Sequence, residues 1–282
     1  MSRSDHPQPV EWNAEQVRRY WDWLGHNPYA QASYFSFRVG RGVVLFLNAA
    51  GLLHGKILDF GCGPGHLLKE LLGRGLECFG ADSSAEAVAS VNREFAAFSN
   101  WRGAERTDHF TTRHPGHFFD FITCLETIEH LPPGSAGGLF AEFHRILKPD
   151  GKLFLTVPLA EDLDREMIYC PFCQSLFHRW QHVDSFSKEK LEALIAAGGF
   201  QVERCGTVDF EQFQADFTFP RIALLNLSSL QTWLRFRVRR LLDLLIPRPF
   251  PENHTAQFRL KRSRHTHLFA LCRPARRPPR EP

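Results

Sequence analysis

The tightest constraint on how this chain folds is Lys56–Gly65, KILDFGCGPG, an apolar run that breaks into three alternate glycines. Ile57, Leu58 and Phe60 read as a strand buried on both faces, as in a parallel sheet. Gly61, Gly63 and Gly65 then permit a sharp turn and a close approach of backbone to ligand that any Cβ would block. His66–Leu72, HLLKELL, follows with helical patterning, so N–H groups at its start point back at whatever the glycines hold. Strand, glycine turn and helix in this order predict a nucleotide-type cofactor site.

Spacing narrows the cofactor. A dinucleotide fingerprint, GxGxxG, needs glycine at position 66, which here is His66. A second strand, Leu76–Ala81, ends at Asp82, about 20 residues beyond the first glycine, the distance at which a carboxylate meets ribose hydroxyls in Rossmann-like sheets. The observed DxGxGxG resembles the first motif of the class I S-adenosylmethionine-dependent methyltransferases. The resemblance covers roughly residues 51–158, 185–208 and 265–273. It implies an α/β Rossmann-like fold, a mostly parallel seven-stranded sheet with helices on both faces. It also implies roles: Gly61, Gly63 and Gly65 approach the methionine part, Asp59 orients its ammonium, and Asp82, with Ser83 beside it, takes the ribose.

With 282 residues, 43% hydrophobic and 23% charged, the chain suits one large domain with inserts. The expected organisation is a tail and helical cap over 1–50 and a methyltransferase domain over 51–273. Within the domain lie a Cys/His insert at 159–184 and a helical insert at 209–264; a basic disordered tail follows at 274–282. Residues 1–10 are polar with two prolines and read as disordered. The start lacks an apolar signal region and Val43–Leu53 is too short to span a bilayer, so a cytoplasmic protein is expected. The net charge of +3 argues against bulk nucleic-acid binding, although Arg259–Arg280 is locally basic.

Phe118–Cys124 reads as a further buried strand, and chemistry in open α/β sheets lies at the carboxyl ends of strands. There stands Leu125–Leu131, LETIEHL. As a helix it would place Glu126, Glu129 and His130 on one face beside the cofactor, a set able to hold a divalent cation such as Mg2+ against an acceptor hydroxyl. The ExxEH pattern is similar to that of the ubiquinone-pathway O-methyltransferases and of the small-RNA 3′-terminal 2′-O-methyltransferases, the latter adding a second His downstream. The plain alternative is a helix end that Glu126, Glu129 and His130 merely cap.

Tyr169–His182 contains C-x2-C-x4-H-x3-H at Cys170, Cys173, His178 and His182. Three readings stay open: a tetrahedral zinc site, one residue shorter than a zinc knuckle; His178 or His182 lent to the ExxEH cation; or two buried thiols in an aromatic patch. Farther on, Leu227, Leu230, Leu234, Val238, Leu241 and Leu245 follow helical spacing among arginines. Residues 222–246 therefore read as a basic amphipathic helix, suited to a peripheral membrane contact, a lid or a homodimer.

The expectation is a methyltransferase acting on a hydroxyl oxygen of a small-molecule or lipid-linked acceptor. An RNA 2′-O-methyltransferase and a noncatalytic cofactor-binding or zinc-scaffold protein are the alternatives.

Overall fold

The computed structural model describes residues 7–211, 213–214 and 267–275. The segment 222–246, most of the insert at 209–264 and all but the start of the 274–282 tail lie outside the described residues.

Seven strands form one sheet: β2 (Lys56–Phe60), β3 (Glu77–Asp82), β4 (Trp101–Arg106), β5 (Phe119–Leu125), β6 (Leu147–Pro158), β9 (Phe200–Val208) and β10 (His267–Pro274). Their order is β4-β3-β2-β5-β6-β10-β9, parallel throughout except β10, which runs antiparallel to both neighbours. Successive strands step outward from β2 in one direction and from β5 in the other. Their adjacent carboxyl ends therefore bound the crevice where such sheets bind ligands.

Alternation along the strands splits the core. Leu58 and Phe60 of β2 face α5 (Ala136–Ile146) and α6 (Lys188–Ala197), whose Leu139, Phe140, Phe143, Leu191 and Ile195 are buried there. Ile57 faces the other way, toward α2 (Phe35–Ala49), α3 (His66–Leu72) and α4 (Ala85–Glu94), which bury Val43, Phe46, Leu68 and Val91. Helix starts follow their caps: the Ser84 and Ser187 hydroxyls accept from the N–H groups of Ala87 and Lys190.

Lys148–Gly151 is an excursion inside β6, where pairing with β5 jumps from Leu147 to Lys152. One local reading is corrected. Residues 8–9, expected as disordered, form the short strand β1 (Gln8–Pro9), because a free edge is offered by the hairpin of β7 (Met167–Tyr169) and β8 (Ser175–His178). That three-stranded sheet packs with α1 (Ala14–His26). Trp21 donates to the Gln181 side chain at 2.9 Å, Tyr20 to the Arg179 carbonyl, and Trp12 meets Phe177 edge-on. Cap and Cys/His insert are thus one structure over the crevice. Among the described residues no helix is long and apolar enough to cross a membrane.

Phe143 is fully buried and meets Phe60 edge-on at 5.1 Å, joining helix to central strand. Phe143→Ala is expected to cost about 3–5 kcal/mol in urea denaturation; a loss below about 1 kcal/mol would contradict this view of the core.

Candidate active site

At the end of β2 the chain turns through Gly61, Gly63 and Gly65, all at positive φ. A Cβ on Gly61 would lie 2.5 Å from Thr127 Oγ1, and one on Gly65 2.7 Å from Val91 and Phe95. Gly65 therefore serves internal packing, Gly61 leaves room for Thr127 while lining the crevice, and Gly63 faces the crevice beneath Tyr34. Asp82, at the end of β3, ties the turn down: one carboxylate oxygen accepts from the Gly63 N–H and the other from the Ser84 N–H, both at 2.8 Å. Asp59 points the other way. Its buried carboxylate accepts from Thr123 Oγ1 at 2.8 Å, and burial pushes its pKa up to about 7. It is not among the residues lining the crevice.

The crevice is a cavity of about 590 Å3. One end is walled by Gly61, Gly63, Asp82, Ser83 and Thr107, the other by Glu126, His130, Glu161, His182 and His267, with Trp21, Tyr34 and Trp180 of the cap and insert alongside. Asp108 is exposed and paired with Arg106, while its neighbour Thr107 reaches the wall.

The predicted helix over Leu125–Leu131 is not formed. Leu125 ends β5, Glu126 adopts the left-handed conformation at φ 46°, and a single 3-10 turn covers Ile128–His130. Glu126 is held there by its N–H to the Thr156 carbonyl at 3.0 Å. The three residues still converge, by a bent route. Glu129 lies fully buried with both carboxylate oxygens unpartnered, and one of them is 3.9 Å from His130 Nε2. Glu126 leaves one oxygen unpartnered and holds the other 3.7 Å from His267 Nε2.

His182 completes the cluster: one ligand atom each from Glu129, His130 and His182 lies within 4.8 Å of the other two. Hydrogen bonds behind the imidazoles set their tautomers. His130 Nδ1 faces the Gln181 carbonyl at 3.4 Å, and His182 Nδ1 donates to Glu161. Each therefore keeps Nε2 free for the cluster. His178 is different. Its Nδ1 accepts from the N–H groups of Trp180 and His182, so its proton sits on Nε2, 3.6 Å from Glu161. Glu161 thus receives two imidazoles and orients one of them; spacing alone had not pointed to it.

The four-residue Cys/His zinc set is not assembled. His178 lies opposite Met167 at the base of the β7–β8 hairpin, three residues and about 10 Å of extended chain from Ser175. Cys170 and Cys173 occupy the turn at its far end, where the Cys173 thiol meets Ser175 Oγ at 3.2 Å.

This fold, with a glycine turn and an acidic residue at adjacent strand ends, defines a Rossmann-like cofactor-binding domain of the S-adenosylmethionine-dependent methyltransferase class. The chain belongs to the methyltransferase-domain family, whose model matches residues 34–204. It is 34% identical over 110 residues to a ubiquinone biosynthesis O-methyltransferase of Pseudomonas aeruginosa, covering 38% of this chain and 46% of that one. A protein of the same description from Burkholderia orbicola is 34% identical over 114 residues, covering 39% and 48%. The chain therefore spans just under half the length of these curated relatives. Among solved structures, Burkholderia thailandensis 1,6-didemethyltoxoflavin-N1-methyltransferase, with bound 1,6-didemethyltoxoflavin and S-adenosylhomocysteine, superposes with a TM-score of 0.58. It is 13% identical and covers 96% of this chain and 94% of that one.

Burial governs the titration of the cluster. It pushes Glu126 up to about 8, with the charge of Glu161 adding, and Glu129 well above the usual carboxylate range, with the charge of Glu126 adding. It holds His130 well below the usual histidine range, with His182 adding to the effect. A carboxyl with a raised folded pKa binds extra protons in the native state, so its stabilising contribution drains away as pH rises through that value. Buried His130 acts in the opposite sense, but only below about 6.5, where unfolded histidine takes up protons. From there to about 8 the carboxyls decide. Metal-free protein is therefore expected to lose urea resistance across that window, and Glu126→Gln with Glu129→Gln to make the fall shallower. An unchanged slope would contradict this account.

Proposed function

We propose that the chain transfers a methyl group from S-adenosylmethionine to a hydroxyl oxygen of a small-molecule or lipid-linked acceptor, with Glu129, His130 and His182 holding a divalent cation. The observation that carries this reading is the cluster itself. Two carboxylate oxygens of Glu129 are buried without a hydrogen bond, beside two imidazoles whose second nitrogens are already engaged. Buried charge needs a partner, and a cation supplies one. With two imidazole donors the set suits Mn2+, Co2+ or Zn2+ better than the Mg2+ expected from the sequence.

In this reading Asp82 and Ser83 receive the ribose, Gly63 lets the backbone approach, and Asp59 supports the turn from beneath, through Thr123, rather than touching the cofactor. S-adenosylmethionine supplies an electrophilic methyl on a sulfonium, so transfer is a direct displacement that depends on alignment and on removing the acceptor proton. The cation, when bound, lowers the pKa of a coordinated hydroxyl and fixes its oxygen. His130 and His182 present Nε2 to the cation because the Gln181 carbonyl and Glu161 engage their Nδ1 atoms. Glu126, elevated by burial and beside His267, is placed to take the acceptor proton. Trp21 and Trp180 wall the acceptor end and exclude water. The ubiquinone enzymes named above support oxygen as the nucleophile. A terminal ribose hydroxyl of RNA is a second reading, because His182 joins Glu129 and His130 as the downstream His of the resembled small-RNA enzymes does.

Asp82→Ala is expected to abolish S-adenosylmethionine binding in calorimetry, and unchanged affinity removes the ribose assignment. Transfer of radiolabelled methyl into a cell extract should require a divalent cation and should drop at least about tenfold in Glu129→Ala and in His182→Ala, with cofactor affinity retained. Label in the organic or small-polar fraction supports the first acceptor class, and label in RNA the second. Full activity under chelation would sink the cation.

A further inference from the structure

His178 is a buried histidine that the chemistry proposed for the cavity does not use. It stands at the base of the β7–β8 hairpin opposite Met167, and its Nε2 is sealed from solvent without a hydrogen bond. Burying a polar nitrogen in that state is costly, so its place in the fold calls for a physical account.

Three contacts tie His178 to His182. Its Nδ1 accepts from the His182 backbone N–H at 3.2 Å, which fixes where that residue leaves the chain. Its ring lies along the His182 ring, with centroids 4.6 Å apart and planes at 22°, which restricts rotation of the His182 imidazole. Its Nε2 is 3.6 Å from one oxygen of Glu161, while the other oxygen of that carboxylate takes the His182 Nδ1 proton. The turn between the two histidines is closed by the Gln181 N–H, which donates to the His178 carbonyl at 2.8 Å. Strand pairing holds His178 itself, whereas Glu161 lies on the connection after β6, next to Ala160 at φ 44°. The hairpin is therefore the fixed point to which both Glu161 and His182 are referred.

His178 is not itself a ligand. Glu161, His178 and His182 bring one ligand atom each within 4.8 Å of the others, a spacing that a metal would tolerate. With Nδ1 accepting from the Trp180 and His182 N–H groups, however, the neutral ring carries its proton on Nε2, which then has no lone pair to give. That N–H faces Glu161 instead, and the order of contacts runs from His178 through Glu161 to His182 Nδ1, leaving His182 Nε2 for the cluster. Groups that hold a ligand's ring and tautomer from behind change metal affinity by about 10–100-fold.

We propose that His178 is the positioning residue of the cavity's cation site: it fixes the backbone, the ring plane and the orienting carboxylate of His182, and so sets how tightly a divalent cation is held. This rests on the cation reading of the cluster, and the test separates the two.

The probe is Mn2+, a poor partner for thiols, titrated into the full chain and followed by loss of the free ion's paramagnetic resonance. Wild type is expected to bind, and Glu129→Ala to bind at least about tenfold more weakly. His178→Phe keeps a ring of similar size and removes both nitrogens; it is expected to raise the Mn2+ Kd about 10–100-fold with S-adenosylmethionine affinity unchanged. His178→Asn, whose side-chain oxygen can accept from the His182 N–H, should recover part of that loss. The decisive comparison is made in His182→Ala, where the ligand to be positioned is gone: there His178→Phe should change the Kd by less than about twofold. If His178→Phe also lowers S-adenosylmethionine affinity, the same comparison made with His178→Asn decides. A loss that persists undiminished in His182→Ala, or a Kd unchanged in both His178 variants, would overturn the proposal and leave the cation reading standing. Absence of Mn2+ binding, or binding indifferent to Glu129→Ala, would overturn the cation reading and the proposal with it.

Discussion

Glu129 sets the condition that the far end of the cavity has to meet. Its carboxyl group is sealed from solvent with neither oxygen hydrogen-bonded. An isolated ionised carboxylate in such a place costs several kcal/mol even after relaxation, so either a proton or a cation has to sit on it. A protonated Glu129 would only fill space. The imidazoles argue for more, because both direct their spare nitrogens inward, and each is held that way by an acceptor on its far side, the Gln181 carbonyl for His130 and Glu161 for His182. Glu161 keeps its charge under this load because His182 and His178 both face it, which lowers its pKa despite burial. Two imidazoles turned inward, an orienting carboxylate behind one of them and a buried carboxyl without a hydrogen bond thus converge on one point at the far end of the cavity.

How much of this the sequence disclosed depended on how local each cause was. The strand Lys56–Phe60 and the helix His66–Leu72 were legible to the residue, because a short apolar run and a glycine at the helix start are chain-neighbour effects. LETIEHL was misread as helical because its conformation is set from outside: the Glu126 N–H is captured by Thr156 on β6, which carries β5 one residue further and bends the chain back. The convergence of Glu126, Glu129 and His130 survived the wrong secondary structure because three residues in five cannot travel far apart. The Cys/His stretch failed for the complementary reason. Spacing that would close on an ion in a coiled loop is stretched out when the loop becomes a hairpin, and β pairing between 167–169 and 176–178 separated the cysteines from the histidines.

The Glu129 end of the cavity is assembled from segments far apart in the chain. Glu129 and His130 follow the carboxyl end of the central strand β5, His182 and Glu161 belong to the insert, and Trp21, which meets His130 edge-on at 4.7 Å and donates to Gln181, to the cap. Gln181 is the joint. Its side-chain oxygen accepts from Trp21, its side-chain nitrogen donates to the His130 carbonyl, and its own carbonyl faces His130 Nδ1. At φ 60° its backbone is held in a conformation few residues adopt without support, and these three contacts supply it.

This arrangement ties ligand binding to the folding of the cap. A group bound between Glu129 on the core and His182 on the insert binds the closed arrangement and not the open one, so it stabilises the insert on the sheet by the logarithm of its saturation. Because Gln181 lies one residue before His182 and also fixes Trp21, that stabilisation reaches α1 without further contact. The glycine turn, Asp82 and Ser84 are joined without the insert, whereas the far wall of the cavity is made where cap, insert and core meet at Gln181.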